Sequence, residues 1–364
     1  MKNTKLLIMA DGNSIHTERW IAGLFQQGGV EISLLSMNPN GVRASLRENS
    51  MLQEVRCIAP SRIATAGGNY SYLFNLFKIR KQVESINPDV IISIYLTSYG
   101  LVASLLKGRR SLVHVVIGSD IMVTPAKSWF YKLATQYSLK KADLIVSASN
   151  TCTAKISADY GISDRVLTQQ YGVEDWVLNY PELEQKYLFS SNRAWIENSN
   201  ISYVVKLVNE LQAGNLALIG DGVLRDEIHQ LANLNSAVMV LGQLAHVENI
   251  RVVAQSQFFF SLTTSDGASL SLMESMAVGC IPIVSNIAPN LEWVADGVNG
   301  FIIELDDFDG ALNKLREIVA TSLEALQAMR QKNREIIQER GGMKKNMARF
   351  MGALNSTQQQ IGKS

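Results

Sequence analysis

Two carboxylates, Asp266 and Glu274, stand eight positions apart in the stretch Thr263-Thr-Ser-Asp-Gly-Ala-Ser-Leu-Ser-Leu-Met-Glu-Ser-Met-Ala-Val-Gly-Cys-Ile-Pro-Ile-Val-Ser285. The apolar run Phe258 to Phe260 before it reads as a buried strand. A loop of small residues, Ser261 to Ser269, leads into a short helix over Ser271 to Val278, which breaks at Gly279 before another buried strand, Ile281 to Val284. A strand, a Gly-bearing loop and a helix N-terminus aim several backbone N–H groups at one spot and favour an anion there. A carboxylate beside that spot would repel a phosphate, so Asp266 and Glu274 suit hydroxyls, as on a sugar or a ribose. Two plainer readings compete. Ser271-Leu-Met-Glu274 has the spacing of a capping box, and Asp266 before Gly267 suits an ordinary turn.

Other candidates are scattered along the chain. Gly12 lies in the turn Asp11 to His16 after a first strand, where a turn glycine needs no further role. His114 sits in the strand that runs from Ser111 toward Gly118-Ser-Asp120; it is either a satisfied core residue or a ring aimed from the strand end at a substrate hydroxyl. Arg193 and Gly220 end two strands of the second half. Cys57, Cys152 and Cys280 lie far apart, with neither metal spacing nor a disulfide framework, which suits a reducing cytoplasm.

Alternating elements must position these residues. Expected strands are Lys5 to Ala10, Glu31 to Leu35, Val55 to Ala59, Val90 to Tyr95, Ser111 onward, Ala142 to Ser149 and Val166 to Tyr171. Helices are expected over Thr17 to Gln27, Asn150 to Tyr160, and Tyr70 to Ile86 through Leu73, Phe74, Phe77 and Val83. The second half restarts with strands Tyr187 to Arg193, Asn215 to Gly220 and Ala237 to Leu241. Helices follow Gly222 and lie within Gln243 to Val253. Gly300 to Glu304 closes that core before helices within 308–320, 323–339 and Lys344 to Leu354. Strands and helices in this alternation give parallel sheets covered on both faces, with ligands at the carboxyl ends of the strands. The expected domains are 1–176 and 177–340, with 175–185 as a charged linker and 341–364 as a last helix and polar tail.

The stretch around Asp266, with the downstream Asn290-Leu-Glu-Trp-Val-Ala-Asp-Gly-Val-Asn-Gly300, resembles the donor-binding segment of the retaining glycosyltransferases of family 4. There an acid-Gly pair and a Glu precede a helix and a Gly-x-Pro strand. Gly118-Ser-Asp120 after a His-bearing strand recurs in a subset of that family. The resemblance covers nearly the whole chain and is strongest over residues 190–304. It implies an α/β protein of GT-B architecture, two facing Rossmann-like doubly wound domains with a cleft between them, the last helix crossing back to the first. It implies transfer of a sugar from a nucleotide sugar, a UDP-sugar by expectation, to a glycan or lipid-linked acceptor of surface polysaccharide synthesis, without metal or cofactor. Arg193 would then hold the donor diphosphate, which the N–H groups around Ser269, Leu270 and Ser271 would face. Glu274 would hold the ribose, Asp266 would meet the transferred sugar, and Gly220 and Gly267 would line the donor site. Gly12, with His16, would belong to a loop closing on the phosphates, and His114 would join Asp266 at the sugar. Two departures from the family matter: Asp266 stands where Glu is usual, and Asn198 where a Lys follows the Arg.

Composition fits this reading. A 364-residue chain with 47% hydrophobic and 18% charged residues fills two cores. The net charge of +1 conceals an asymmetry, 19 Lys and Arg against 13 Asp and Glu in residues 1–176, and 15 against 20 beyond. The basic half, with Lys78, Arg80, Lys81, Lys107, Arg109 and Arg110, is expected to meet an anionic membrane surface, making a cytoplasmic protein peripheral at the inner membrane face. The excess is too dispersed for nucleic acid, and no run reaches the ~20 apolar residues of a span. A nucleotide-sugar 2-epimerase and a non-catalytic GT-B partner protein, the latter suggested by Asn198, are the competing readings.

Overall fold

The computed structural model describes residues 3–58, 70–267 and 269–361. Ala59, at the end of an expected strand, Ala268, within the Ser261 to Ser269 loop, and the last three residues of the polar tail lie outside the described residues. Contacts divide the chain into two units, Met1–Tyr171 with Met343–Ser364, and Gly172–Gly342.

Among the described residues, the first unit carries a seven-stranded sheet: β1 (Thr4–Met9), β2 (Val30–Ser36), β3 (Leu52–Cys57), β4 (Val90–Ile94), β5 (Ser111–Val116), β6 (Leu144–Ser147) and β7 (Val166–Thr168). Its order is β3-β2-β1-β4-β5-β6-β7, with parallel pairing throughout. The near-continuous apolar runs of β1, β4 and β5 follow from burial on both faces. The helix Ile15–Gln27 starts two residues earlier than expected, because the Ser14 side chain accepts from the His16 N–H. β3 also starts earlier than expected and ends at Cys57.

The last helix, Met343–Ile361, is longer than expected and belongs to this first unit. It packs on Ile15–Gln27, with the Trp20 and Phe350 rings edge to face at 5.2 Å. A Cβ at Gly23 would stand 2.8 Å from Met347 Cγ, so only glycine lets the two helices approach this closely.

The expected Tyr70 to Ile86 helix is two pieces. Tyr70–Asn75 is a tighter 3₁₀ turn, and the α-helix spans Leu76–Ile86. Its buried residues are Ile79 and Val83, whereas Phe74 and Phe77 are exposed, so the apolar periodicity put two rings on the wrong face.

The second unit carries β8 (Tyr187–Ser191), β9 (Leu216–Ile219), β10 (Val238–Gly242), β11 (Ser256–Ser261), β12 (Ile281–Ser285) and β13 (Phe301–Ile303), a six-stranded parallel sheet ordered β10-β9-β8-β11-β12-β13. On one face, Phe258 and Phe260 of β11 pack against Phe189 of β8, with centroids 5.8 and 5.1 Å apart. Phe259 points to the other face, among Met273 and Met276. Each fully buried ring contributes ~1.5–3 kcal/mol.

Residues 175–185 are not a linker. Val173 and Val177 are fully buried in the second unit, the short helix Asp175–Leu178 covers that core, and Leu178, Tyr180 and Leu183 pack on it. The sequence looked charged because the apolar residues are spaced between acids. The second unit therefore begins at Gly172 rather than at 177.

Candidate donor site

In the second sheet the strand order reverses between β8 and β11, the neighbours from which the chain winds outward in opposite directions. The loops leaving their carboxyl ends meet at this switch point, where open α/β sheets bind ligands. One loop carries Arg193, two residues past β8. The other is 262–269, after β11.

The Arg193 guanidinium joins them. Its Nη1 donates to Ser269 Oγ at 2.7 Å and Ser271 Oγ at 3.2 Å, and its Nη2 to Asp266 Oδ2 at 2.8 Å. Arg193 and Asp266 form an ion pair with both side chains 17% exposed. The other Asp266 oxygen accepts from the Gly267 N–H at 2.8 Å. Ser269 caps the helix Leu270–Ala277, its Oγ accepting from the Leu272 N–H at 3.1 Å.

The capping box at Ser271 and Glu274 therefore does not form, since Ser269 has taken the cap. Glu274 turns elsewhere. Only 5% exposed, it accepts from His246 Nε2 at 2.9 Å. On the far side of that ring, Glu174 Oε2 lies 3.7 Å from Nδ1. Trp176 donates its indole N–H to the same Glu174 oxygen at 3.2 Å and sets its ring edge-on to His246, centroids 5.0 Å apart.

Asn198 is tied to the same loop. Its side-chain amide donates to the Ser265 carbonyl and accepts from Thr264 Oγ1, both at 2.8 Å, and its own carbonyl accepts from the Thr264 N–H at 3.0 Å. Lys206, the next cation along, is exposed on the helix Ile201–Leu211. Gly220 holds φ +133° at the end of β9, and a Cβ there would lie 3.0 Å from the Arg193 carbonyl. Glycine thus lets the β9 turn lie against the Arg193 backbone.

The remaining candidates belong to the first unit. Gly12 donates its N–H to Ser36 Oγ at 3.0 Å, and a Cβ there would meet Val42 at 2.7 Å; it is a packed turn glycine. His16 is joined through Nδ1 to the Tyr171 hydroxyl at 2.8 Å. His114 is fully buried rather than aimed outward at a ligand. Ser104 Oγ donates to the Gly100 carbonyl, so at 3.0 Å it accepts from His114 Nε2–H, and Ser93 Oγ donates to Nδ1 at 2.6 Å. Burial pushes the ring's pKa down to about 3. Both nitrogens are satisfied and the ring is neutral, so the expectation of a ring facing substrate is corrected to a core histidine. The residue sits mid-strand in β5, where neighbouring elements close over it.

The structure thus gathers Arg193, Asp266, Gly267, Ser269 and Ser271 into one constellation and adds His246, Glu174 and Trp176 beside Glu274. Those three carried no sequence signal, being 28 and 100 positions from Glu274 in the cases of His246 and Glu174.

Comparison with known proteins agrees with this geometry. Residues 5–149 match the family model described as glycosyl transferase 4-like, and residues 178–336 the one described as glycosyl transferases group 1. An uncharacterized glycosyltransferase of Methanocaldococcus jannaschii is 28% identical over 258 residues, 68% of this chain and 71% of the relative. The UDP-Gal:α-D-GlcNAc-diphosphoundecaprenol α-1,3-galactosyltransferase of Escherichia coli is 25% identical over 242 residues; the match spans 59% of this chain and 62% of that protein. Among solved structures, Anabaena HepE in complex with UDP and glucose superposes with a TM-score of 0.79 at 15% identity, covering 97% of this chain and 100% of the other. Two sheets wound alike and two family models that together span most of the sequence lead to one assignment: the chain belongs to the group 1, family 4 glycosyltransferases of GT-B fold.

Proposed function

We propose that this glycosyltransferase moves a sugar from a UDP-sugar to a lipid-linked glycan acceptor in surface polysaccharide synthesis, keeping the donor's anomeric configuration and using no metal. The observation that carries the reading is the Arg193 guanidinium shared among Asp266, Ser269 and Ser271 at the N-terminus of the helix Leu270–Ala277. A diphosphate reaching this point meets a cation and a helix terminus together. A charged hydrogen bond contributes ~1.5–3 kcal/mol, and a helix terminus up to ~2 kcal/mol. Both act on the charge that grows as the diphosphate departs. Once the phosphate draws Arg193 away, Asp266 is released to a sugar hydroxyl, while Glu274 holds the ribose. The UDP in the Anabaena structure and the diphosphoundecaprenol-linked substrate of the Escherichia coli relative support these choices of donor and acceptor.

Docking on an anionic membrane through the first unit follows from a lipid-linked acceptor. Among the described residues no helix is long and apolar enough to cross a bilayer. Of the basic residues counted above, Arg80 is paired with Glu84 and Lys107 with Asp143, which leaves that cluster weaker than its count. Better support comes from the helix Trp129–Lys141, which is inside out. It buries Ala134, Thr135, Ser138 and Leu139, and turns Trp129 (75% exposed), Leu133 and Tyr137 outward at four-residue spacing. Lys127, Lys132, Lys140 and Lys141 surround it, with no Asp or Glu between Ile121 and Ala142. Amphipathic aromatic and basic residues of this kind suit a lipid interface.

The test is a donor-consumption screen across nucleotide sugars, with and without a diphosphopolyprenol-linked sugar acceptor and with and without EDTA. UDP-sugar consumption that needs acceptor, survives EDTA and gives a linkage of unchanged anomeric configuration by NMR is the expected result. Release of an isomerised sugar nucleotide without acceptor would instead indicate the epimerase, and no turnover of any donor a non-catalytic role.

A further inference from the structure

We infer that His246 is a positioning residue that sets the Glu274 carboxylate and thereby the grip of the enzyme on the nucleotide's ribose. The inference rests on the donor-site reading given above and goes beyond it in naming what makes Glu274 competent.

Glu274 is almost entirely removed from water on the helix Leu270–Ala277. A carboxylate buried to that degree needs hydrogen-bond partners to stay charged. An ionised carboxylate only accepts, so the 2.9 Å contact requires the proton on His246 Nε2. His246 opens the helix His246–Ala254, and its ring is flanked on two sides. Trp176 stands edge-on to one side at 5.0 Å, and Glu174 lies beside Nδ1 at 3.7 Å. Glu174 is itself held by the Trp176 indole N–H.

This order matters because the last torsion of a glutamate is broad and soft. A backbone cap would have fixed Glu274 from its own helix, but Ser269 has that place. The imidazole fixes the carboxylate from a neighbouring helix instead, and the Trp176 ring, itself tied to Glu174, packs against the imidazole. A ligand hydroxyl then meets an acceptor whose direction is set in advance, which lowers the ordering cost of binding. All four residues lie within the Gly172–Gly342 unit, so the device needs no other part of the chain.

The experiment is calorimetric titration of the full chain with UDP and with 2′,3′-dideoxy-UDP, for the wild type, His246→Gln, His246→Leu and Glu274→Gln. Gln can still donate an amide N–H to Glu274, whereas Leu cannot. The expected pattern is a UDP affinity reduced about tenfold or more in His246→Leu, consistent with losing a bond to a charged group. His246→Gln should stay within about threefold of the wild type. The dideoxy nucleotide should bind the wild type and His246→Leu alike, since its ribose lacks the hydroxyls that Glu274 serves. Unchanged UDP affinity in His246→Leu overturns the inference, as does an equal loss for both nucleotides, which would mean general damage to the fold. If His246→Leu does not fold, a His246→Gln variant as weak as Glu274→Gln overturns it instead. If Glu274→Gln binds UDP like the wild type, the donor-site reading itself fails, and this inference fails with it.

Discussion

Arg193 and Asp266, which the family resemblance assigns to neighbouring parts of the donor, its diphosphate and its transferred sugar, hold each other at 2.8 Å. Each is the other's counter-ion, and Ser269 and Ser271 both accept from Arg193 Nη1. On the proposed donor reading, binding exchanges these partners for the diphosphate and the sugar. Removing Asp266 frees Arg193, so Asp266→Asn is expected to bind UDP as well as the wild type or slightly better, while kcat falls at least about tenfold. Parallel calorimetry and turnover measurements check it. A loss of UDP affinity with kcat intact would contradict the exchange.

Arg193 has no such ambiguity. Arg193→Ala removes the guanidinium bonded to Asp266, Ser269 and Ser271, and is expected to abolish the thermal shift given by UDP. Arg193→Lys keeps the charge but not the fork, and should recover only part of it. A full shift in Arg193→Ala would move the diphosphate elsewhere.

Asn198 stands where the family places a second cation, and it ties residues 264 and 265 into place. Asn198→Lys should therefore not improve UDP binding, because the loop that presents Asp266 loses its anchor. Asn198→Ala should lower stability by ~1–2 kcal/mol, the cost of losing the side-chain bonds at a partly exposed site. Urea unfolding and UDP titration of both variants decide the matter; tighter UDP binding by Asn198→Lys would show that charge outweighs loop order.

Two buried groups of the first unit give opposite pH slopes. His114 stays neutral down to about pH 3 through burial, against 6.5 for an ordinary ring. Between those values the unfolded chain takes up a proton that the folded chain declines, so stability falls as the pH falls through this window. Asp120 accepts the N–H groups of Leu96, Ile117 and Gly118, yet burial raises its carboxyl to about 6 from 3.8. Here the folded chain keeps a proton that the unfolded chain has lost, so its contribution is full below pH 3.8 and falls as the pH rises to 6. Asp120→Asn should expose the His114 slope and make acid destabilisation between pH 6 and 4 steeper than in the wild type. Urea midpoints across that range measure it, and an unchanged slope would contradict the assignment.

Membrane docking has its own control. Wild type should float with anionic liposomes at low salt and less at high salt, because exposed charges are screened within ~8–10 Å. Changing Trp129, Leu133 and Tyr137 together to Ser should weaken flotation more than changing Lys78, Arg80 and Lys81 to Ser. Equal flotation of all three proteins would leave both patches as ordinary surface.

Much of this was legible in the sequence. Runs such as Phe258 to Phe260 and Val90 to Ile94 announce buried parallel strands, and the stretch after Phe260 announces the loop and the helix Leu270–Ala277 that follow β11. What was not legible depends on contacts between distant segments. Phe74 and Phe77 have the apolarity of a core face but are exposed, because Ile79 and Val83 are the residues that meet the sheet. His114 and His246 are both histidines near polar residues. Only the fold shows that the first is enclosed by two serines and that the second bridges two glutamates. Ser269 rather than Ser271 is the cap because the helix starts at Leu270, which places the Leu272 N–H on Ser269 Oγ.

The packing of Met343–Ile361 on Ile15–Gln27 also sets a timetable for biosynthesis. The first unit is not complete until Gly172–Gly342 has been made, because Phe350 and Met347 are the residues that cover Trp20 and Gly23. At ~5–20 residues per second that delay is on the order of 10–30 s on the ribosome. During it the Trp20 side of a nearly finished sheet unit lacks its cover, while the second unit, continuous in the chain, is free to fold first. The helix that seals the first unit is thus made only after the whole of the second.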